Sequence, residues 1–207
     1  ASRYAASRRL RVSPPDSPTR VGRPGVRSPP NRMSEPAGRT VNDMLELART
    51  AWLLACAALL AVFGWALFVL PERVPQHVDA AGRVTEWGSR ASFLAGMGVA
   101  LLSTAIVGLL ARAISRTMSL EVVNIPHKER WLPGHESALR ERVAADLYLV
   151  GATIGGALAA LMAGLVLIAL GEPGLPGWTV AIAVVAGVVL AVQLVVMLTV
   201  RYRTPAD

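Results

Sequence analysis

Few residues in this chain have the types and spacing for chemistry, and most of them lie in loops. His77 and Asp79 sit two residues apart. In an extended segment, positions i and i+2 share a face. An imidazole and a carboxylate placed that way could hold a metal or sense pH. A hydrogen bond that merely holds the loop is the plainer reading of the same pair. His127 and His135 are the other imidazoles available to a metal site, but the topology deduced below puts them across the membrane from His77. His135-Glu136 matches the start of a zinc-protease helix, yet Leu139 stands where the second histidine is required, and the motif fails. The single cysteine, Cys56, permits neither an intrachain disulfide nor a cysteine metal cage, and is expected to pack as a small buried hydrophobe. There is no Ser-His-Asp grouping on one side, no pair of catalytic carboxylates in a span and no phosphate loop. The residues therefore predict no enzyme, no metal and no cofactor.

The elements that position these residues follow from the distribution of charge. Only 17% of the 207 residues are charged, against about a quarter in a soluble domain. Four windows hold no Asp, Glu, Lys or Arg: Thr50 to Pro71, Ala91 to Ala111, Leu147 to Gly171 and Pro173 to Val200, of 22, 21, 25 and 28 residues. About 20 apolar residues suffice for a helix to cross a bilayer, so a soluble globular enzyme is excluded. The predicted fold class is an all-α integral membrane protein. Its four transmembrane helices cover about 51–70, 93–114, 147–170 and 178–200, within a membrane domain of residues 41–201. A short extracellular lid or hairpin at 71–91 joins the first two spans, and a cytoplasmic linker at 115–146 joins the middle two. Thr40 and Asp43 are read as a capping pair that starts the first helix. Pro173, Gly174, Pro176 and Gly177 form the last turn.

The net charge of +7 is concentrated before the first span, where residues 1–49 carry ten Arg against Asp16, Glu35, Asp43 and Glu46. Residues 1–40, with nine Arg, seven Pro and six Ser, are expected to be disordered. Met33-Ser34-Glu35 resembles a natural beginning, so residues 1–32 are expected to be an over-extended start or a processed leader. A basic tail on anionic lipid is the alternative. Once mapped, the charge gives no reason to expect nucleic-acid binding. Counted by side, the flanking segments hold 18 and 3 basic residues, so both termini are expected in the cytoplasm. Trp52, Tyr148 and Tyr202 would then lie at the inner interface and Trp178 at the outer one.

No span has an ionisable residue at mid-depth, which counts against a proton-coupled transporter. Gln193 is the most polar side chain there and is expected to make one interhelical hydrogen bond. Small residues recur every fourth position: Gly96, Ala100, Thr104 and Gly108; Ala152, Gly156, Ala160 and Gly164; Thr179, Ala183, Gly187 and Ala191. Gly151 and Gly155 form a further small pair. Such faces allow close helix approach, and predict a compact bundle.

Two loops carry a resemblance. The outer one, from Leu70 to Arg90, has Pro71, Val74, Pro75, His77, Asp79, Gly82, Gly88 and Ser89 in the order of a bacterial signature. The middle loop has Asn124, Pro126, Lys128 and Trp131-Leu132. Together they resemble the bacterial membrane proteins of the domain of unknown function 1648 family, related to the immunity protein of the sporulation-delaying toxin. Val78 and Arg90 in the first motif, and His127 and Arg130 in the second, depart from the family pattern. The resemblance spans about residues 50–150 and implies an integral protein of the bacterial plasma membrane, with little implied chemistry.

Without the family, the outer loop still reads as a small hairpin in which Val74–Asp79 and Arg83–Trp87 flank a turn at Gly82. Leu139, Val143 and Leu147 extend the third span helically at the inner surface, where Lys128, Arg130 and Trp131 could meet lipid headgroups or a partner. The function expected is that of a non-enzymatic, toxin-immunity or envelope-regulatory membrane protein. A protein or peptide partner would meet the exposed outer-loop residues His77, Asp79, Gly82 and Trp87. The alternative is a small transporter or a transporter subunit. The lipid bilayer is the one certain partner, and oligomeric state is left open.

Overall fold

In lipid, a backbone must satisfy its own polar groups, and a helix does so within a single segment. Each charge-free window accordingly falls mainly on one helix in the computed structural model, which describes residues 37–79, 81–117, 119–120, 131 and 134–202. Helix α1 covers Ala37–Val69, strands β1 and β2 cover Arg73–Val78 and Val84–Ser89, and α2 covers Arg90–Arg116. Helix α3 covers Glu136–Ala169 and α4 covers Gly177–Val196, with a π-helical turn, Met197–Arg201, at its end. Among the described residues, four helices are long and apolar enough to cross a membrane. The chain is a multi-pass membrane protein.

The limits of the elements depart from the sequence reading where local signals mislead. Helix α1 is described from Ala37, three residues before Thr40, so the helix does not start at the expected capping pair. Helix α3 has 34 residues, about 51 Å at 1.5 Å per residue, against a hydrocarbon core of about 30 Å. Its first three turns continue the third span, as the spacing of Leu139, Val143 and Leu147 required, and convert the end of the expected linker into helix.

Helix α3 is the central strut. It packs on α1, α2 and α4, whereas α4 packs chiefly on α3. At the hairpin end, Ala66, Leu70, Val74, Phe93, Met97, Leu165, Val166 and Ile168 make one buried cluster. At the opposite end, Ala48, Ala111, Ala144, Ala145 and Tyr148 make a second, and Ile114, Leu120, Trp131, Leu139, Val143 and Tyr202 a third.

Between these clusters the helices close on glycine. A Cβ built on Gly108 would overlap the Trp52 ring, and one on Gly151 would stand 3.1 Å from the same indole. One on Gly155 would lie 2.9 Å from Thr104 Cγ2. The indole N–H of Trp52 donates to the Thr104 carbonyl at 2.9 Å, and its ring meets that of Tyr148 at 5.5 Å. Trp52 and Tyr148 are therefore packed between helices. The gaps left by two glycines are shaped for an indole, and the ring also gains a backbone acceptor there. The four-residue stripes are used only in part. Thr104, Gly108 and Gly164 are buried, while Gly96, Gly156 and Gly187 have no neighbour within 4 Å of a built Cβ.

Candidate functional site

The hairpin is antiparallel, pairing Arg73 with Ser89, Val74 with Gly88, Pro75 with Trp87, His77 with Glu86 and Val78 with Val84. Its family-motif residues have identifiable local tasks. A Cβ on Gly88 would overlap Gln76 Cγ, so any larger residue here must displace the Gln76 side chain. Ser89 caps α2, its Oγ accepting from the Ser92 amide at 3.1 Å. Pro75 is fully buried, whereas Pro71 is exposed at the end of α1.

Asp79 organises the turn. Its Oδ1 accepts from the amides of Ala81 and Arg83, each at 2.9 Å, and its Oδ2 from Arg83 Nε at 3.0 Å. The Arg83 amide above all, against an opposing desolvation and with help from the Arg83 guanidinium and the Ala81 amide, holds the Asp79 carboxyl below its ordinary value of 3.8. Gly82 takes φ of +77°, a conformation costly for other residues. Its carbonyl accepts from the Leu175 amide at 3.1 Å, docking the hairpin tip on the turn between α3 and α4.

This docking corrects one expectation and qualifies another. Gly82 is buried against Leu175, so it is a structural contact and not an exposed face for a partner. His77 and Asp79 do not act as a pair. The His77 ring binds Glu86 at 2.9 Å (Nδ1 to Oε2) while Asp79 folds back on its own turn. The register slips on both sides of His77. Such bulges break the alternation of faces that the i, i+2 argument assumed. His77 and Trp87 remain exposed, Trp87 at 48%. Trp87 and Arg73 border a shallow open cavity of about 300 Å³. Among the described residues, no group of three His, Cys, Asp or Glu could hold a metal ion.

The opposite end contains a buried polar cluster that sequence reasoning missed. Asp146, 2% exposed, pairs with Arg201 at 2.7 Å and accepts the Tyr202 hydroxyl at 2.7 Å. The Tyr202 carbonyl accepts from the indole of Trp131 at 3.4 Å. Arg142 lies 4.9 Å from the Trp131 ring centre and donates to the Arg201 carbonyl at 3.1 Å. Gln193 donates to the Asp146 carbonyl at 3.1 Å, the one interhelical bond expected of it. Burial, and then the bond to Asp146, push the Tyr202 phenol up from its ordinary value.

Trp131 and Tyr202 are thus buried, so the Trp131 ring is not offered to headgroups or a partner as the sequence suggested. Each gains a partner for its polar tip inside the cluster, which an interfacial position would leave to water. The π-helical turn brings Arg201 and Tyr202 to Asp146. A signal was present in the sequence: Asp146 immediately precedes the third charge-free window and Arg201 immediately follows the fourth. Antiparallel neighbours joined by a short turn place such residues at the same depth. Asn124, Pro126, Lys128 and His127 lie outside the described residues. His135 stacks edge-on against Trp131 at 6.4 Å, in keeping with a packing role.

The geometry defines a four-helix membrane protein whose small hairpin is fixed over one end. The model of a domain of unknown function (DUF1648) matches residues 54–102, from within α1 through the hairpin into α2. The similarity therefore covers the first of the two motif loops and not the second. No curated protein and no solved structure matches the chain.

Proposed function

We propose that this chain is a bacterial plasma-membrane protein of toxin-immunity or envelope-regulatory type, which acts by binding a protein or peptide at its hairpin and carries out no catalysis. In this reading both termini are cytoplasmic and the hairpin faces outward, as the distribution of Lys and Arg favours. The observation that carries the proposal is a rigidly held hairpin with an exposed aromatic. Val74 is fully buried, Gly82 is bonded to Leu175, and Arg90 donates to the Leu67 carbonyl, yet Trp87 projects half-exposed beside Arg73. A fixed aromatic next to a guanidinium has the character of a binding hot spot, because little entropy is lost on contact.

The test is protection of cells against pore-forming peptides. Cells expressing the chain should survive a peptide that kills the parent strain, and Trp87→Ala with His77→Ala should abolish survival at equal membrane levels. Undiminished survival with both substitutions would remove the hairpin from the function. Orientation is checked by replacing Trp87 with cysteine in a Cys56→Ala chain. An impermeant maleimide should label intact cells.

A further inference from the structure

We infer that the cleft between α1 and α2, at the end of the bundle away from the hairpin, binds the phosphate of an anionic phospholipid. The cleft has a volume of about 120 Å³ and is lined by Leu45, Glu46 and Arg49 of α1, Arg112, Ser115 and Arg116 of α2, and Tyr148 of α3. Arg112, Ser115 and Arg116 follow the i, i+3, i+4 spacing that puts them on one helix face. Glu46 and Arg49 are one turn apart on the facing helix, with nitrogen and oxygen 3.8 Å apart, a loose pair that leaves the guanidinium free to take a second acceptor.

Charge favours an anion. Three guanidiniums face one carboxylate, and the C-terminus of α2 adds roughly half a negative charge, so the cleft is net positive. Depth favours a lipid. Arg49 immediately precedes the first charge-free window and Arg112 immediately follows the second, placing both where hydrocarbon gives way to headgroups. Planar guanidiniums bind phosphate oxygens in two-point fashion. Leu45 and the buried Tyr148 supply apolar walls on which the glycerol end of a lipid can rest. A basic pocket between helix ends is the form that recognises anionic headgroups. The inference stands apart from any role of the hairpin.

The test uses the purified full chain in nanodiscs. Phosphatidylglycerol should bind in preference to phosphatidylcholine, raise the melting temperature, and be competed by salt. Arg112→Gln with Arg116→Gln should weaken that preference roughly thirtyfold, about fivefold for each guanidinium. Arg112→Lys should keep much of it, and Arg73→Gln at the hairpin all of it. Both arginines are exposed, and unchanged helicity in detergent confirms that the double variant folds. Equal binding of the two lipids, or a double variant indistinguishable from the parent, would overturn the assignment. Saturation by inorganic phosphate without preference between the lipids would overturn the lipid source.

Discussion

Replacing Gly108 by Ala tests how α1, α2 and α3 close on one another. The new methyl would occupy space filled by the Trp52 ring, and the ring cannot swing freely, because Gly151 backs it and the Thr104 carbonyl holds its N–H. Overpacking a filled site costs about 1–3 kcal/mol. Displacing the ring also loses an interhelical hydrogen bond, about 0.6 kcal/mol on average in a membrane. Alanine in a helix returns roughly 0.5–1 kcal/mol relative to glycine. The expected net loss is about 1–3 kcal/mol, dominated by the overlap. Gly98→Ala is the matched control, since a Cβ there meets nothing within 4 Å, and it should be neutral or stabilising. The assay is reversible unfolding of the purified chain in mixed micelles with rising dodecyl sulfate, followed by far-ultraviolet circular dichroism. Adding Trp52→Ala should erase the Gly108→Ala penalty, because the obstacle is gone. Equal effects at positions 108 and 98, or a penalty that persists without Trp52, would refute the packing argument.

Asp146→Asn should destabilise the bundle by about 3–5 kcal/mol, because it leaves Arg201 without its buried counter-charge; the same micelle titration measures it. Tyr202→Phe in that assay should cost less, about 1.5–3 kcal/mol for one hydrogen bond to a charged acceptor. Gly82→Ala should cost about 1–2 kcal/mol through its left-handed φ, and amide exchange at Leu175 should quicken as the hairpin tip lifts. Asp79 has its carboxyl pKa lowered on folding, so its contribution is complete above the ordinary value of 3.8 and fades as pH falls through the lower folded value. Trp87 fluorescence should report that acid transition, and Asp79→Asn should remove the Asp79-linked part of it; an unchanged profile would show that the turn does not depend on the carboxylate.

The four spans were legible because lipid imposes a rule that composition obeys directly: no charge for about 20 residues. The hairpin was legible within a residue or two at each strand, since Val74, Val78 and Val84 mark strands and Gly82 marks the turn. What could not be read was which side chains meet. The His77–Asp79 expectation assumed a regular strand, and a bulge is a tertiary compromise with no composition signal. Trp52, Trp131 and Tyr202 looked interfacial because aromatic residues near span ends usually are. Their packing depends on glycines and acceptors contributed by other helices. The Asp146–Arg201 pair falls between these cases, since both residues stand at window edges and need only the antiparallel path of α3 and α4 to meet.

The two ends of the bundle are secured by different physics, and α3 connects them. At the hairpin end the ties are backbone hydrogen bonds and apolar burial: Gly82 to Leu175, with Val74, Phe93 and Leu165 in one cluster. At the other end they are charge and aromatic contacts around Asp146. Helix α4 shows why both are needed. Only Thr179 and Ala186 of its residues are buried, so its long middle contributes little packing. Its entry is fixed where Leu175 meets the hairpin and Thr179 meets Gly164, and its exit is fixed where Arg201 meets Asp146. In a solvent as apolar as its own valines, a helix gains little by burying its sides. Polar contacts at its ends then decide where it stays, which is why the one buried carboxylate of the described bundle sits at the foot of α4 and not at mid-depth.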